Sequence, residues 1–235
     1  MAETMAQTRQ LSVIRWHGDR AEAASLALTD LVIAGWTGRD RAAVDHHVKE
    51  LAAIGVKPPA AIPCFYRAAV DMLTTETDLQ FLGGDSSGEV EFVLVSQPDG
   101  LWVGLGSDHT DRKVEAYSVP VSKQLCLKPL APQLWRFEDV AAHWDKLELR
   151  AFIVEGGVRK LYQEGTVAQM RPPADLIHHY VQSAVLPPGI AMFGGTFAAI
   201  GGVRPAAEFH MELKDPVRGR AIAHGYRIHP LPVDA

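Results

Sequence analysis

Cysteine, excess basic charge and long apolar runs are all scarce in this chain of 235 residues. Its two cysteines, Cys64 and Cys126, lack the paired spacing of a zinc site, so we expect two free thiols. Lysine and arginine number 23 against 28 acidic residues, which argues against a surface that binds nucleic acid or anionic membranes. No apolar run approaches the roughly 18 residues of a membrane span, and the N-terminus has no signal-like apolar segment. The expectation is a cytoplasmic protein.

Short apolar runs of the β type dominate what is present. With 47% hydrophobic residues, the chain can bury one sizeable core. The predicted strands cover residues 11–16, 26–36, 90–95, 101–105, 147–154, 158–163, 190–193, 209–213 and 221–228. Helices are predicted from Asp40 to Gly55 and from Pro172 to Val181. About ten strands and two or three helices predict a β-rich α+β fold, with one domain over residues 1–235 on which the strands of residues 1–35 pack.

One predicted hairpin carries the strongest chemical signal. A turn centred on Pro98-Asp99 places Glu89 opposite Asp108, with Cβ atoms roughly 5 Å apart. Side chains alternate along a strand, so Glu91 shares the face of Glu89. Three carboxylates there favour Mg²⁺, Mn²⁺ or Ca²⁺ over softer metals. The alternative is an acidic hairpin face that is only solvated.

Two further motifs carry possible proton chemistry. On the helix predicted from Asp40, His47 and Glu50 are three residues apart and therefore neighbours, as in a His-carboxylate general base. The alternative is an ordinary surface pair. Lys123 follows a run predicted to be irregular or strand-like, and a single lysine of this kind is ordinarily solvated. The His143-Trp144-Asp145 segment is interpreted mainly as a packing cluster, and His109 has no assigned role.

Taken in order, these motifs resemble the fumarylacetoacetate hydrolase superfamily over residues 35–230. The resemblance covers a His-x-x-Glu pair at His47 and Glu50, a Glu-x-Glu pair at Glu89 and Glu91, an Asp-x-Thr-x-Arg segment from Asp108 to Arg112, and a downstream lysine at Lys123. It also covers a Gln-x-Gly at Gln163 and a Gly-Thr pair at Gly195-Thr196 after an apolar strand. The chain is likewise similar to a small branch of uncharacterised bacterial proteins. It departs from familiar members in the short spacing of Asp108 and Lys123 and in the Glu155-Gly156-Gly157 turn.

The resemblance implies a mixed β-sandwich roll, a homodimer and a role for each matched residue. The implied metal ligands are Glu89, Glu91 and Asp108, and the implied catalytic residues are His47, Glu50 and Lys123. The implied substrate-binding residues are Thr196, Gln163 and Arg112, where Arg112 braces Asp108 more than it touches substrate.

The implied function is that of a divalent-metal-dependent hydrolase that cleaves a C–C bond in an acylpyruvate-like or other 1,3-dicarbonyl or 2-oxo acid. A bound Mg²⁺ or Mn²⁺ ion is expected, with Ca²⁺ as a further option, and a small molecule is the expected partner. The same platform also suits a decarboxylase, hydratase or tautomerase acting on a 2-oxo acid. The rival from another class is a non-catalytic metal-binding protein.

Overall fold

The computed structural model describes residues 7–42, 44–45, 59 and 61–234. Within these residues the strands form one sheet of eight, one of five and two small two-stranded sheets. The strands are β1 (Arg9–His17), β2 (Arg20–Leu28), β3 (Asp30–Gly35), β4 (Cys64–Ala68), β5 (Leu73–Thr74), β6 (Asp78–Leu82), β7 (Ser86–Ser87), β8 (Val90–Gln97), β9 (Gly100–Ser107), β10 (Thr110–Asp111), β11 (Lys128–Pro129), β12 (Gln133–Arg136), β13 (Glu148–Glu155), β14 (Val158–Thr166), β15 (Ile190–Phe193), β16 (Glu208–Asp215) and β17 (Arg220–Leu231).

Helices are short and lie between the strands. The α-helices are α1 (Arg112–Glu115), α2 (Val119–Gln124), α3 (Glu138–Ala141) and α4 (Pro173–Val181), and 3₁₀ turns span Val70–Met72, Trp144–Lys146 and Val167–Gln169. None of the helices in the described ranges has the length and apolar character needed to cross a membrane. The β-rich α+β prediction is therefore confirmed.

The large sheet has the order β2-β1-β12-β9-β8-β15-β3-β4, and the smaller one β14-β13-β16-β17-β6. Strand β8 is central and buried along its whole length. Its side chains Phe92 and Leu94 belong to the core shared with β13 and β16, whereas Val93 and Val95 belong to a second core on the opposite face. Because both faces are covered, this strand is a nearly continuous apolar run.

The N-terminal strands are part of the large sheet. Strand β1 pairs with β12 in parallel, and β3 pairs in parallel with β15, which itself pairs antiparallel with β8. Residues 26–36 were predicted as one strand, but the strand is interrupted at Thr29, whose N–H donates to the carbonyl of Gly189 at 2.8 Å. The single-strand prediction is wrong because an apolar run alone does not reveal where strand pairing changes within it.

Most of the remaining element predictions that fall within the described residues are confirmed, whereas most of the helix predicted from Asp40 to Gly55 lies outside them. Three predicted hairpins match β8–β9, β13–β14 and β16–β17, and the predicted second helix matches α4. The residues that lead to Lys123 form α2 and not a strand-like run. Pro120 lies in the first turn of α2, where a missing N–H costs nothing, and this allows a β-branched sequence to be helical.

Candidate metal centre

The β8–β9 hairpin brings three carboxylates together at its open end. The register pairs Val90 with Ser107, and just beyond it the N–H of Asp108 donates to the carbonyl of Glu89 at 3.0 Å. The predicted facing of Glu89 and Asp108 is thus confirmed. One carboxylate oxygen from each of Glu89, Glu91 and Asp108 lies within 4.8 Å of the others. We call these three residues the carboxylate triad.

Backbone from the loop after β15 fixes the second member of the triad. The N–H of Gly195 donates to the Oε2 atom of Glu91 at 2.7 Å. Gly195 has a φ of +105°, and a Cβ atom at this position would overlap the side-chain oxygen of Thr37. Only glycine adopts this φ without strain and leaves room for the Thr37 side chain. The hydrogen bond that orients Glu91 therefore depends on glycine at position 195.

Two lysines hold the third member. Lys123 of α2 and Lys128 of β11 both form ion pairs with Asp108, the latter at 3.1 Å from Oδ1. Lys123 was expected at the site and lies in its cavity. Lys128 is fully buried and was missed by the sequence analysis. A usable signal existed, because this lysine stands inside the apolar run Leu125–Ala131, where a solvated side chain is hard to place.

The three carboxylates differ in their electrostatics. Burial, reinforced by the charges of Asp108 and Glu89, raises the pKa of Glu91 well above its ordinary value. Burial would also raise the pKa of Asp108, but the two lysine charges outweigh it and lower this pKa to about 2. Burial leaves the pKa of Glu89 raised despite the nearby Arg112. Protein neighbours therefore stabilise the ionised form of Asp108, whereas Glu91 and Glu89 hold their protons more tightly than they do in water.

Arg112 braces the triad at a different point from the one expected. Its guanidinium lies 3.2 Å from the carboxylate of Glu89 and 2.7 Å from that of Glu115, and its Nε donates to Ser87 at 2.7 Å. Its ion pairs are thus with Glu89 and Glu115, whereas Asp108, which it was expected to brace, acts on it through charge. Its predicted contact with substrate stays a prediction.

Gln163 and Thr196 act as one unit. The Gln163 side chain accepts from the N–H of Val90 at 2.9 Å and donates to the hydroxyl of Thr196 at 2.8 Å and to the carbonyl of Phe197 at 2.7 Å. Both amide hydrogens are thereby used. Thr196 lines the cavity, whereas the buried Gln163 ties the Thr196 loop to β8 from behind.

His109 is a buried connector next to the triad. Its ring nitrogens lie 2.8 Å from the hydroxyl of Tyr226 and 2.9 Å from that of Ser86, and its ring stacks on Phe81 at 4.1 Å. Burial, with the charge of Lys128, lowers the pKa of His109 well below its ordinary value. A neutral His109 therefore joins the small sheet of β7 and β10 to β17.

The His143-Trp144-Asp145 segment is a structural cluster, as interpreted from the sequence. His143 lies 2.9 Å from buried Asp215, and Trp144 packs edge-on against Phe92. Asp145 binds the guanidinium of Arg39 through two hydrogen bonds of 2.8 Å.

The triad and Lys123 lie in a cavity of about 850 Å³. Its other walls include Trp36, Tyr66 and Val119.

Asp40 caps the following helical residues, as predicted, since its side chain accepts from the N–H of Ala42 at 2.9 Å. The predicted dyad of His47 and Glu50 lies outside the described residues.

Comparisons with known proteins agree with this architecture. A family model described as Protein of unknown function (DUF2848) matches residues 34–226. No curated protein matches the chain. A crystal structure of Cg1458 with inhibitor is similar with a TM-score of 0.62 at 17% identity, over 93% of this chain and 84% of that one.

Two further similar structures are of 2-keto-3-deoxyarabinonate dehydratase. Its hexagonal crystal form gives a TM-score of 0.63 at 16% identity, over 87% of this chain and 75% of that one. Its complex with magnesium and 2,5-dioxopentanoate gives a TM-score of 0.59 at 16% identity, over 86% and 73% of the two chains. At such identities the similarity shows a shared fold.

Proposed function

The chain belongs to the DUF2848 family of proteins of unknown function, and from the geometry of its site we propose that it is a divalent-metal-dependent enzyme acting on a small 2-oxo acid. The observation that carries this proposal is the carboxylate triad, whose oxygens lie within 4.8 Å of one another beside Lys123 in a cavity of about 850 Å³. Convergent charged groups in a well-formed cavity are the usual mark of an active site.

The donor set fits a hard cation. All three candidate ligands are carboxylates, and oxygen donors favour Mg²⁺ or Mn²⁺, with Ca²⁺ as a further option. The raised pKa of Glu91 reflects the cost of a buried carboxylate beside two other acids, a cost that a bound cation would lower. A bound divalent ion would supply Lewis acidity toward a carbonyl oxygen and orient a chelating 2-oxo acid.

The protein's own groups have separate tasks in this proposal. Lys123 supplies a positive donor for the negative charge that develops on the substrate oxygen. Lys128 keeps Asp108 ionised from behind, and Arg112 favours the ionised form of Glu89 against the effect of burial. Backbone groups beside Thr196 receive the substrate carboxylate, and Gln163 holds that loop in place.

For the reaction itself, C–C bond hydrolysis of an acylpyruvate-like substrate is the first candidate. His47, oriented by Glu50, would take a proton from the attacking water. Dehydration of a 2-oxo acid is the second candidate, favoured by two structural neighbours named as dehydratases, one of them complexed with magnesium and 2,5-dioxopentanoate. Decarboxylation and tautomerisation use the same site and belong to the same test.

The test is a substrate panel followed by mass spectrometry and proton NMR. The metal-stripped protein is incubated with acylpyruvates, oxaloacetate and 3-deoxy-2-oxo sugar acids, with and without added Mg²⁺ or Mn²⁺. Metal-dependent cleavage into two acids supports hydrolysis, and loss of one water supports dehydration. Protein that binds metal yet converts no compound across the panel would favour the non-catalytic binding protein.

A variant separates the two leading reactions. His47→Ala is expected to abolish hydrolysis while metal affinity, measured by calorimetry, stays unchanged. Unchanged hydrolysis of an identified substrate by this variant would remove the dyad from the mechanism. The resemblance to the fumarylacetoacetate hydrolase superfamily also supports the proposal of a homodimer, which light scattering tests. The cytoplasmic location expected from the sequence stays a proposal, which cell fractionation tests.

A further inference from the structure

One side of the cavity is aromatic and lies directly beside the charged centre. The ring centroid of Tyr66 is 5.8 Å from the ammonium of Lys123, which itself contacts Asp108. Trp36 lines the same cavity. We call Trp36 and Tyr66 the aromatic shelf. A ligand chelated at the triad would have this shelf next to it.

The backbone is adapted to place the shelf. Strands β3 and β4 pair Gly35 with Cys64 and Ile33 with Tyr66. A Cβ atom on Gly35 would lie 2.8 Å from the ring of Tyr66, so glycine is needed for the ring to lie over β3. Trp36 then takes a φ of +59°, a left-handed conformation that is unfavourable for a non-glycine residue. Strain of this kind concentrates at functional sites.

Charge near the shelf is unfavourable for a second anion. Among the described residues that line the cavity, the basic ones are Lys123 and Arg39. Lys123 is bound to Asp108, and Arg39 is held by both oxygens of Asp145 at 2.8 Å and by the carbonyl of Met170 at 3.0 Å. Glu115 adds a further carboxylate to the same wall.

The size of the cavity adds a third argument. A volume of about 850 Å³ lies within the range typical of sites for drug-sized ligands, well beyond the needs of pyruvate. The uncharged side chains that line the cavity besides the aromatic shelf include Val119 and Ala168, and the charged groups Arg39, Asp40 and Glu115 line it as well. Burial of a complementary apolar group there removes apolar surface from water on both partners.

We propose that the substrate is a monocarboxylic 2-oxo acid whose other end is bulky, uncharged and apolar, with an aromatic group that packs on Tyr66 and Trp36. This inference rests on the proposed function, because the 2-oxo acid end is placed at the triad. It excludes substrates that carry a second carboxylate at the far end. An aromatic tail would stack on the shelf in the offset or edge-on arrangements that aromatic pairs prefer.

Three unreactive 2-oxo acid analogues test the proposal by calorimetry on the Mg²⁺-loaded protein. Oxamate carries the chelating end alone, N-phenyloxamate adds a phenyl ring, and N-oxalylglycine adds a carboxylate. We expect N-phenyloxamate to bind at least tenfold more tightly than oxamate, and N-oxalylglycine to bind more weakly than oxamate. Equal or tighter binding of N-oxalylglycine relative to N-phenyloxamate would overturn the inference.

The same analogues distinguish a wrong substrate class from a wrong proposed function. If oxamate binds with magnesium and the phenyl group adds no affinity, the substrate class is wrong and the proposed function stands. If neither oxamate nor oxalate binds the magnesium-loaded protein, the proposed function fails and the inference fails with it.

A variant then tests whether Tyr66 causes the preference for N-phenyloxamate over oxamate. Tyr66→Leu is expected to weaken N-phenyloxamate at least fivefold more than it weakens oxamate. Tyr117→Leu, at a tyrosine that is 84% exposed, is the matched control and should leave all three affinities unchanged. An equal effect of Tyr66→Leu on both analogues would refute the shelf. The wild-type series tests the proposal without any variant, so poor folding of Tyr66→Leu does not prevent a decision.

Discussion

Replacement of Glu91 by glutamine tests the metal centre through stability alone. Glu91 is buried, its Oε2 accepts from Gly195 at 2.7 Å, and its pKa is raised well above the ordinary value. The amide keeps the shape of the side chain and removes its charge. Glu91→Gln should therefore weaken the binding of a cation while the fold stays intact.

The expected size follows from mass action. A ligand at 100 times its dissociation constant stabilises the folded state by about 2.7 kcal/mol. Each kcal/mol shifts the melting temperature of a protein of this length by about 2–4 °C. Wild-type protein should thus gain roughly 5–11 °C with saturating Mg²⁺ or Mn²⁺ in scanning calorimetry, and Glu91→Gln should lose most of this gain.

The raised pKa of Glu91 also predicts the direction in which stability changes with pH. A raised carboxyl pKa means that the folded state holds its proton more tightly than the unfolded chain. Metal-free wild-type protein therefore loses stability as the pH rises from the ordinary pKa of 4.5 through the raised pKa of Glu91. The metal-induced gain grows over the same window, because the cation then no longer competes with a proton.

Glu164→Gln is the matched control, because Glu164 is exposed and paired only with Arg150, at 2.8 Å, among the contacts described. It should keep the wild-type metal response and the wild-type pH dependence. A full metal-induced gain in Glu91→Gln would refute the assignment of Glu91 as a ligand. If the stability of metal-free Glu91→Gln falls with rising pH as much as that of the wild type, the assignment of this pH dependence to Glu91 is refuted.

Three further predictions concern the supports of the triad. Gly195→Ala should lower the free energy of unfolding by more than 2 kcal/mol in urea titrations and abolish the metal response, whereas Gly202→Ala, with a φ of +84° and open space around it, should cost only about 1–2 kcal/mol. Lys128→Met removes the lysine charge that pairs with buried Asp108 and should lower the free energy of unfolding by about 3 kcal/mol in the same titration. Lys160→Met, at an exposed lysine, should lower it by less than about 0.5 kcal/mol. Because the pKa of Asp108 is lowered to about 2, its contribution to stability is present above its ordinary pKa of 3.8 and is lost as the pH falls toward 2, and Lys128→Met should make this acid loss smaller.

The β8–β9 hairpin could be predicted because the signals that set its register are local in the sequence. Alternation along β8 and the Pro98-Asp99 turn together set the register, and the register alone decides that Glu89 faces Asp108. A shift by one residue would have put the acids on different faces. The Gly195-Thr196 pair was likewise visible in the sequence, although the contact of Gly195 with Glu91 was not.

The missed features depend on contacts between distant segments. Lys128 reaches Asp108 because β11 pairs with β5, and no local pattern reveals that pairing. Tyr66 joins the site because β4 pairs with β3 at the end of the large sheet, and sheet order is not encoded in periodicity. The contacts of Gln163 with Val90 and Thr196 could not be predicted either, because they form only where β14, β8 and the loop after β15 meet.

The position of β15 between β3 and β8 has a practical consequence for shortened versions of the protein. The family match begins at residue 34, near the end of β3, so a protein trimmed to that boundary would lose β1, β2 and most of β3. One side of β15 would then present unsatisfied backbone groups beside the strand that carries Glu91. Such an exposed edge invites pairing between molecules, and aggregation is the expected result. Deletion series aimed at a minimal active form should therefore keep every residue from Arg9 onward.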